Sequence, residues 1–271
     1  MYNYDKYLVI SDLDGTLINS KGVVSPENLK AIEYFTEQGG RFAIATGRSI
    51  QNVRPYIKNL VLNGPNILYN GAAVYDFRHE KILQPEFLEK ELLKDYIIFC
   101  MKTFSKMAVE IFTPETMYMI TPEANEDPFV QYEKQVFERS VLEEVIKTDW
   151  FKVLFYDSHA NLMKAKGFIK DFGLGEKIES VFTNEFYLEI LKKEVSKGTA
   201  IKSLMHLPHF RDKFVIAVGD YDNDIEMIEF AHLGIAVDNA TEAVKHSAGR
   251  LTVNNDSDAL YDIIYNIIPS L

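Results

Sequence analysis

Three short apolar runs fall within the first seventy residues: YLVIS at 7–11, RFAIAT at 41–46 and NILYN at 66–70. Their continuity, without polar alternation, predicts strands buried on both faces, as in a parallel sheet. Between them the apolar residues recur every three to four positions, which predicts helices. Ser25-Pro26 supplies an N-cap and a first-turn proline, Leu29, Ile32 and Phe35 an inner stripe, and Gly39-Gly40 a stop. Ile50, Val53, Ile57 and Leu60 give a second helix the same kind of stripe. Strand, helix, strand, helix is the pattern of βαβ units and a parallel sheet.

The pattern returns near the C-terminus, with KFVIAVGD, LGIAV and RLTV as strands and DIEMIEFA and ALYDIIYNII as helices. The middle of the chain differs. LEKELLKDYIIFCMKTF is a long amphipathic helix, and AVEIF and MYMIT flank TPET as a hairpin would. FKVLFYD, a helix ending near GFIKDFG, and the pair IESVFT and FYLEIL continue that mixed pattern. The expected fold class is therefore α/β, a Rossmann-like parallel sheet flanked by helices, interrupted by an α+β module. The expected core comprises residues 1–81 and 189–271, and the insertion residues 82–188.

The 271 residues, 47% apolar and 25% charged, suit a folded globular protein. A formal net charge of −11 argues against a general nucleic-acid binder. The single cysteine, Cys100, permits no internal disulfide and is expected as a small buried hydrophobe. No basic-then-apolar leader and no run of membrane-spanning length is visible, so a cytoplasmic protein with no membrane partner is expected. The six histidines lack metal-ligand spacing, and His206 and His209 are expected in loops or at helix ends.

Ligands of open parallel sheets collect at the carboxyl ends of the strands. Four polar sites fall there or at a helix start: Asp12-Leu13-Asp14-Gly15-Thr16, Thr46-Gly47-Arg48, Ser196-Lys197-Gly198 and Gly219-Asp220-Tyr221-Asp222-Asn223-Asp224. Each has a plain structural explanation when taken alone: an Asx turn, a Thr cap, a surface lysine, an acidic helix cap. Together they do not. Asp12 and Asp14, two apart at a strand end, are expected on one side, and Asp220 arrives from another buried strand. Such crowding of carboxylates calls for a divalent cation, and an all-oxygen donor set suits Mg2+. Gly47 lets backbone N–H groups approach an anion, and Lys197 at a helix start makes sense if an anion lies there too. The combination describes phosphoryl transfer, with an Asp nucleophile, a second Asp as proton carrier and a cation between anions.

DLDGT, TGR, SKG and GDYDND, in this order and on these elements, resemble the haloacid dehalogenase-like phosphatases. YNGA at 69–72 and NATEAVK at 239–245 extend the match. The long insertion between TGR and SKG resembles a class II cap, as in Cof-type phosphatases. The resemblance implies Asp12 as nucleophile and Mg2+ ligand, and Asp14 as general acid/base with its backbone carbonyl on the metal. It implies Thr46, Gly47, Lys197 and Asn223 at the phosphate, Asp220 on the metal, and Asp224 in or beside the metal's outer shell. Arg48 and Asn70 are expected substrate contacts. The expected substrate is a small phosphorylated metabolite, a sugar phosphate or similar monoester, handled by a monomer or homodimer. A phosphotransferase or phosphomutase on the same core, or a phosphoester-binding regulator without turnover, remain open alternatives. Asp238, where relatives commonly carry glycine, and Asp258-Ala259-Leu260, where they often read Asp-Gly-Val, depart from the pattern outside the four motifs.

Overall fold

The structure is a computed structural model that describes residues 3–132, 135–207 and 210–271. The chain divides into two compact units, one of Met1–Arg48, Val53–Gln84 and Ser196–Leu271, the other of Ser49–Asn52 and Pro85–Val195.

The N-terminal part of the first unit runs β1 (Tyr7–Ser11), α1 (Pro26–Glu37), β2 (Arg41–Ile44), α2 (Ile50–Ile57), β3 (Asn66–Leu68), β4 (Ala73–Asp76) and β5 (Lys81–Pro85). Ser25 caps α1 by accepting from the Asn28 amide at 3.1 Å, with Pro26 in the first turn, and Ile32 and Phe35 are buried. Helix α2 stops at Ile57, so Leu60 lies beyond it and not on its stripe. Pro55 inside this helix lacks the N–H that would tie it to the preceding turn, which favours a short element.

The inserted unit carries α3 (Lys90–Thr103), β6 (Ala108–Phe112), β7 (Met117–Met119), α4 (Pro128–Tyr132), β8 (Glu138–Arg139), α5 (Leu142–Val145), β9 (Lys152–Tyr156), α6 (His159–Phe168), β10 (Ile178–Asn184) and β11 (Tyr187–Lys192). Its strands form one mixed sheet in the order β10-β11-β9-β6-β7-β8, with the TPET hairpin joining β6 to β7 as expected. Val109, Ile111, Val153, Phe155, Leu188 and Ile190 share a face and pack with Tyr96, Ile97 and Leu162 of α3 and α6. Cys100 is buried in that layer. Alternation along the strands puts Glu110, Lys152 and Glu189 on the opposite face.

The chain then completes the first unit with α7 (Lys197–Met205), β12 (Phe214–Gly219), α8 (Ile225–Phe230), β13 (Leu233–Ala236), α9 (Glu242–Ser247), β14 (Arg250–Leu251) and α10 (Ala259–Asp262). The closing helical stretch widens to a π-helical turn over Ile263–Ile267. His206 ends α7, as expected of a helix-end residue, and His209 lies outside the described residues. The five strands β14-β13-β12-β1-β2 are all parallel. Their central residues, among them Val9, Ile10, Phe42 and Ile216, are fully buried, each side chain contributing about 1.5–3 kcal/mol through burial. That confirms the parallel α/β core with an inserted mixed sheet. No helix among the described residues is long and apolar enough to cross a membrane.

Candidate active site

The parallel sheet delivers three polar residues to one edge. Asp12 follows β1 and still donates its amide to Val218 O at 2.9 Å, so it is held beside the end of β12. Asp220 follows β12 directly. Thr46 comes just after β2, its amide held by Ile67 O at 2.9 Å and its carbonyl by the Asn70 amide at 3.0 Å. Lys197 is the first residue of α7, behind an N-cap in which Ser196 and Thr199 each bond the other's backbone amide, at 3.0 and 2.9 Å.

Two tight turns bring these edges together. Gly15 has φ +79°, and a Cβ there would strike the Asp220 carboxylate, so the DGT turn needs glycine for both reasons. Gly71 has φ +106°, and a Cβ there would strike the Ser196 carbonyl, which locks YNGA against the start of α7. Before Gly71, Tyr69 and Asn70 also lie in the left-handed region, at φ +52° and +55°, a conformation non-glycine residues adopt at a cost.

The Lys197 ammonium, 1% exposed, lies 2.5 Å from Asp12 Oδ1 and 2.6 Å from Asp224 Oδ1. The other oxygen of Asp224 accepts from the amides of Asp220 and Tyr221 at 3.0 and 3.3 Å. Asp220 Oδ1 accepts from Thr16 Oγ1 at 2.8 Å. Burial drives the Asp12 carboxyl well above the ordinary carboxylate range, against the pull of Lys197, and the charges of Asp224, Asp220 and Asp14 add to the rise. Burial and the Asp224 charge raise Asp220 to about 7. Burial alone would depress the Lys197 ammonium, but Asp12 and Asp224, both hydrogen-bonded to it, outweigh burial and hold it above its usual value.

One oxygen from each of Asp12, Asp220 and Asp224 lies within 4.8 Å of the others. Three carboxylates face one ammonium there, and a hard divalent cation bound by oxygens fits both the geometry and the missing charge. Asp224, expected in or beside the metal's outer shell, contributes its carboxylate to this cluster. Asp14, expected at the metal through its backbone carbonyl, has its carboxylate outside the cluster, with the side chain 52% exposed.

Asp14 instead meets Arg48, with Nε donating to Oδ2 at 2.8 Å and Nη2 to Oδ1 at 2.7 Å. Thr46 is buried, and its Oγ1 accepts from the Arg48 amide at 3.1 Å. A Cβ on Gly47 would come within 3.0 Å of the Asn70 side-chain amide. Asn223 Nδ2 donates to Asn70 Oδ1 at 3.0 Å, joining GDYDND to YNGA. Tyr221 is half-buried, and Asp238 stands exposed in the loop after β13.

Three further side chains support the site. Thr16 anchors Asp220, Asn239 Nδ2 donates to Gly15 O at 2.8 Å, and the Tyr56 ring lies 4.4 Å below the Arg48 guanidinium. Thr16 and Asn239 stood inside quoted motifs, DLDGT and NATEAVK. Tyr56 carried no signal beyond its place on α2.

Residues 9–264 match the haloacid dehalogenase-like hydrolase family, and the chain belongs to it, in the Cof-type phosphatase branch. The YxeH protein of Bacillus subtilis (strain 168) is 30% identical over 270 residues, covering 96% of this chain and 98% of its own. The 5-amino-6-(5-phospho-D-ribitylamino)uracil phosphatase YitU of the same organism is 25% identical over 266 residues, covering 94% of each chain. A haloacid dehalogenase-like hydrolase from Bacteroides thetaiotaomicron superimposes with a TM-score of 0.83 at 26% identity, covering 98% of this chain and all of its own. The protein is thus a phosphatase by kinship, and its fold is that of the family.

Proposed function

We propose that this protein hydrolyses a small phosphorylated metabolite, a sugar phosphate or similar phosphomonoester, in the cytoplasm, with Mg2+ as cofactor and Asp12 as the group that carries the phosphoryl. The convergence of Asp12, Asp220 and Asp224 on the buried Lys197 supports this reading most directly. Asp12, Asp220 and the backbone carbonyl of Asp14 would hold Mg2+, with Asp224 beside them. The ion supplies charge neutralisation between the carboxylates and the phosphoryl oxygens.

Asp12 attacks phosphorus, the bond to the leaving oxygen breaks, and Asp14 gives that oxygen a proton. Asp14 then takes a proton from the water that attacks the aspartyl-phosphate, so that inorganic phosphate leaves and Asp12 is restored. Lys197, paired with Asp12, opposes the burial that favours a proton on that carboxylate, holds it in place and neutralises phosphoryl charge. Thr46 and the backbone N–H groups at Gly47 receive phosphoryl oxygens, and Asn223, positioned by Asn70, reaches the same group. The inserted unit is the cap, and substrate choice is assigned to it. The 5-amino-6-(5-phospho-D-ribitylamino)uracil in the name of YitU is a phosphomonoester of the expected size and kind.

Hydrolysis of p-nitrophenyl phosphate with added Mg2+ and with EDTA tests this reading, followed by a panel of sugar and nucleotide phosphates read by phosphate release. The expected result is turnover that Mg2+ supports and EDTA removes. No cation-dependent turnover across the panel, or full activity in Asp12→Asn, would refute it. Phosphorus NMR of the products distinguishes free phosphate from transfer to a second sugar.

A further inference from the structure

Asp12 and Asp14 are two positions apart, yet each has its own cation, Lys197 for Asp12 and Arg48 for Asp14. We propose that Arg48, backed by the ring of Tyr56, is the positioning residue for Asp14: it draws this carboxylate out of the Asp12–Asp220–Asp224 cluster and fixes its plane toward the leaving oxygen. The inference rests on Asp14 being the proton carrier of the proposed reaction.

Three observations carry it. The contact is bidentate, at 2.7 and 2.8 Å, so both oxygens of Asp14 are engaged and the carboxylate cannot rotate freely about its last torsion. The arginine is the fixed partner. Its side chain is 13% exposed against 52% for Asp14, and its guanidinium lies over the Tyr56 ring. Its backbone is pinned at both ends as well, the amide on Thr46 Oγ1 and the carbonyl on the Tyr69 amide at 3.2 Å. Tyr69 is one of the two left-handed residues of the YNGA turn, so unfavourable backbone is maintained where it holds Arg48.

Electrostatics gives the same answer. An Asp14 turned inward would add a fourth carboxylate to a cluster that already outnumbers its one ammonium. A lysine at position 48 could supply charge but not the planar fork that sets orientation. The half-exposed edge of Asp14, with the oxygen lone pairs that point away from Arg48, stays open to carry a proton to a leaving group while the arginine holds the other edge.

The test separates orientation of an acid from binding of phosphate. A nitrophenolate leaves without a proton, whereas a sugar alkoxide requires one. Measure kcat/KM on p-nitrophenyl phosphate and on the sugar phosphate that the native protein turns over fastest, for Arg48→Ala, Arg48→Lys, Tyr56→Leu and Asp14→Asn, with melting curves for each. Arg48→Ala is expected to lose about 10–100-fold on the sugar phosphate and less than about threefold on the aryl ester, short of the roughly 100–10,000-fold of a whole general acid because the acid is misplaced, not removed. Arg48→Lys should stay near Arg48→Ala, and Tyr56→Leu should shift the ratio the same way by less. Equal losses on both substrates in Arg48→Ala, with a selective loss in Asp14→Asn, would make Arg48 a phosphate contact and overturn the proposal. So would full recovery in Arg48→Lys, or no loss in Arg48→Ala. If Asp14→Asn itself loses equally on both substrates, the underlying assignment of Asp14 fails instead.

Discussion

Each unit of the molecule buries its own excess of carboxylates around one lysine, and the two solve the problem differently. In the core unit, Asp12, Asp220 and Asp224 extend from strand ends and loops toward Lys197, and their oxygens converge within 4.8 Å. In the inserted unit, Lys152, Asp127 and Glu189 all act through their charges on Glu110, and all four are at most 3% exposed. There Lys152 pairs with Glu189 at 2.9 Å, Thr183 Oγ1 donates to Glu189 at 3.2 Å, and Tyr187 donates to Asp127 at 2.6 Å. Glu110 has an oxygen with no hydrogen-bond partner, and burial, then the Asp127 charge, drive its carboxyl well above the usual range. Among the described residues, only the core cluster has the spacing of a metal site. Donors carried on strand ends can converge on one point, whereas donors spaced along a sheet face are held apart by strand geometry and settle their charge by pairing or by keeping a proton.

That contrast predicts opposite responses to substitution. Asp12→Asn should abolish turnover, by at least about a thousandfold as for a lost nucleophile, with a melting temperature equal to or above the native one. Retained activity would break the comparison at its strongest point. Lys152→Met should do the reverse in kind and destabilise the protein by about 3–5 kcal/mol, read from the denaturant midpoint, because it leaves Glu189 buried without its cation.

The pH responses are smaller. Asp220 titrates at about 7 in the protein against an ordinary 3.8, so the unfolded chain binds fewer protons between these values. Its contribution is fully present below pH 3.8 and is lost as the pH rises through about 7. The EDTA-treated protein should therefore lose stability from this group across that window. Added Mg2+ should raise the melting temperature little at pH 5 and progressively more above pH 7, by scanning fluorimetry. A metal response that does not change with pH would argue against the carboxylate cluster as the binding site.

Glu110→Gln should give the smallest effect. The amide imitates the neutral carboxyl, so the variant should match the native protein at low pH. As the pH rises and the native carboxyl is pressed to ionise, the variant should melt a few degrees higher. The sign follows from the raised pKa, since native stability from this group is lost as the pH rises. An unchanged difference across that range would show that Glu110 is already solvated in solution.

Much of the core was legible because polar residues interrupt apolar runs at strand ends, and a strand end is a local property. YLVIS stopping at Asp12 and KFVIAVG stopping at Asp220 each announced a residue at the sheet edge. Strand parity failed at Asp14. The chain leaves extended geometry after Asp12, with the amides of Thr16 and Ile18 both returning to Leu13 O, so positions two apart no longer share a side. Leu60 kept the helical spacing of Ile50, Val53 and Ile57 although α2 had ended, since spacing alone carries no stop signal. Glu110, Lys152 and Glu189 alternate with buried apolar residues as outward-facing strand positions do, and only packing shows that this face is buried as well.

The amino-acid sequence by itself therefore determined the elements, the parallel core and the residue types at its edge, because propensity, capping and apolar periodicity act over a few neighbouring residues. The tertiary structure alone decided which charge answers which. Lys197 reaches Asp12 across 185 residues, and Arg48, 34 residues from Asp14, takes the second carboxylate. Coulomb and desolvation energies depend on separations and burial of a few ångströms, and these exist only once distant segments have packed.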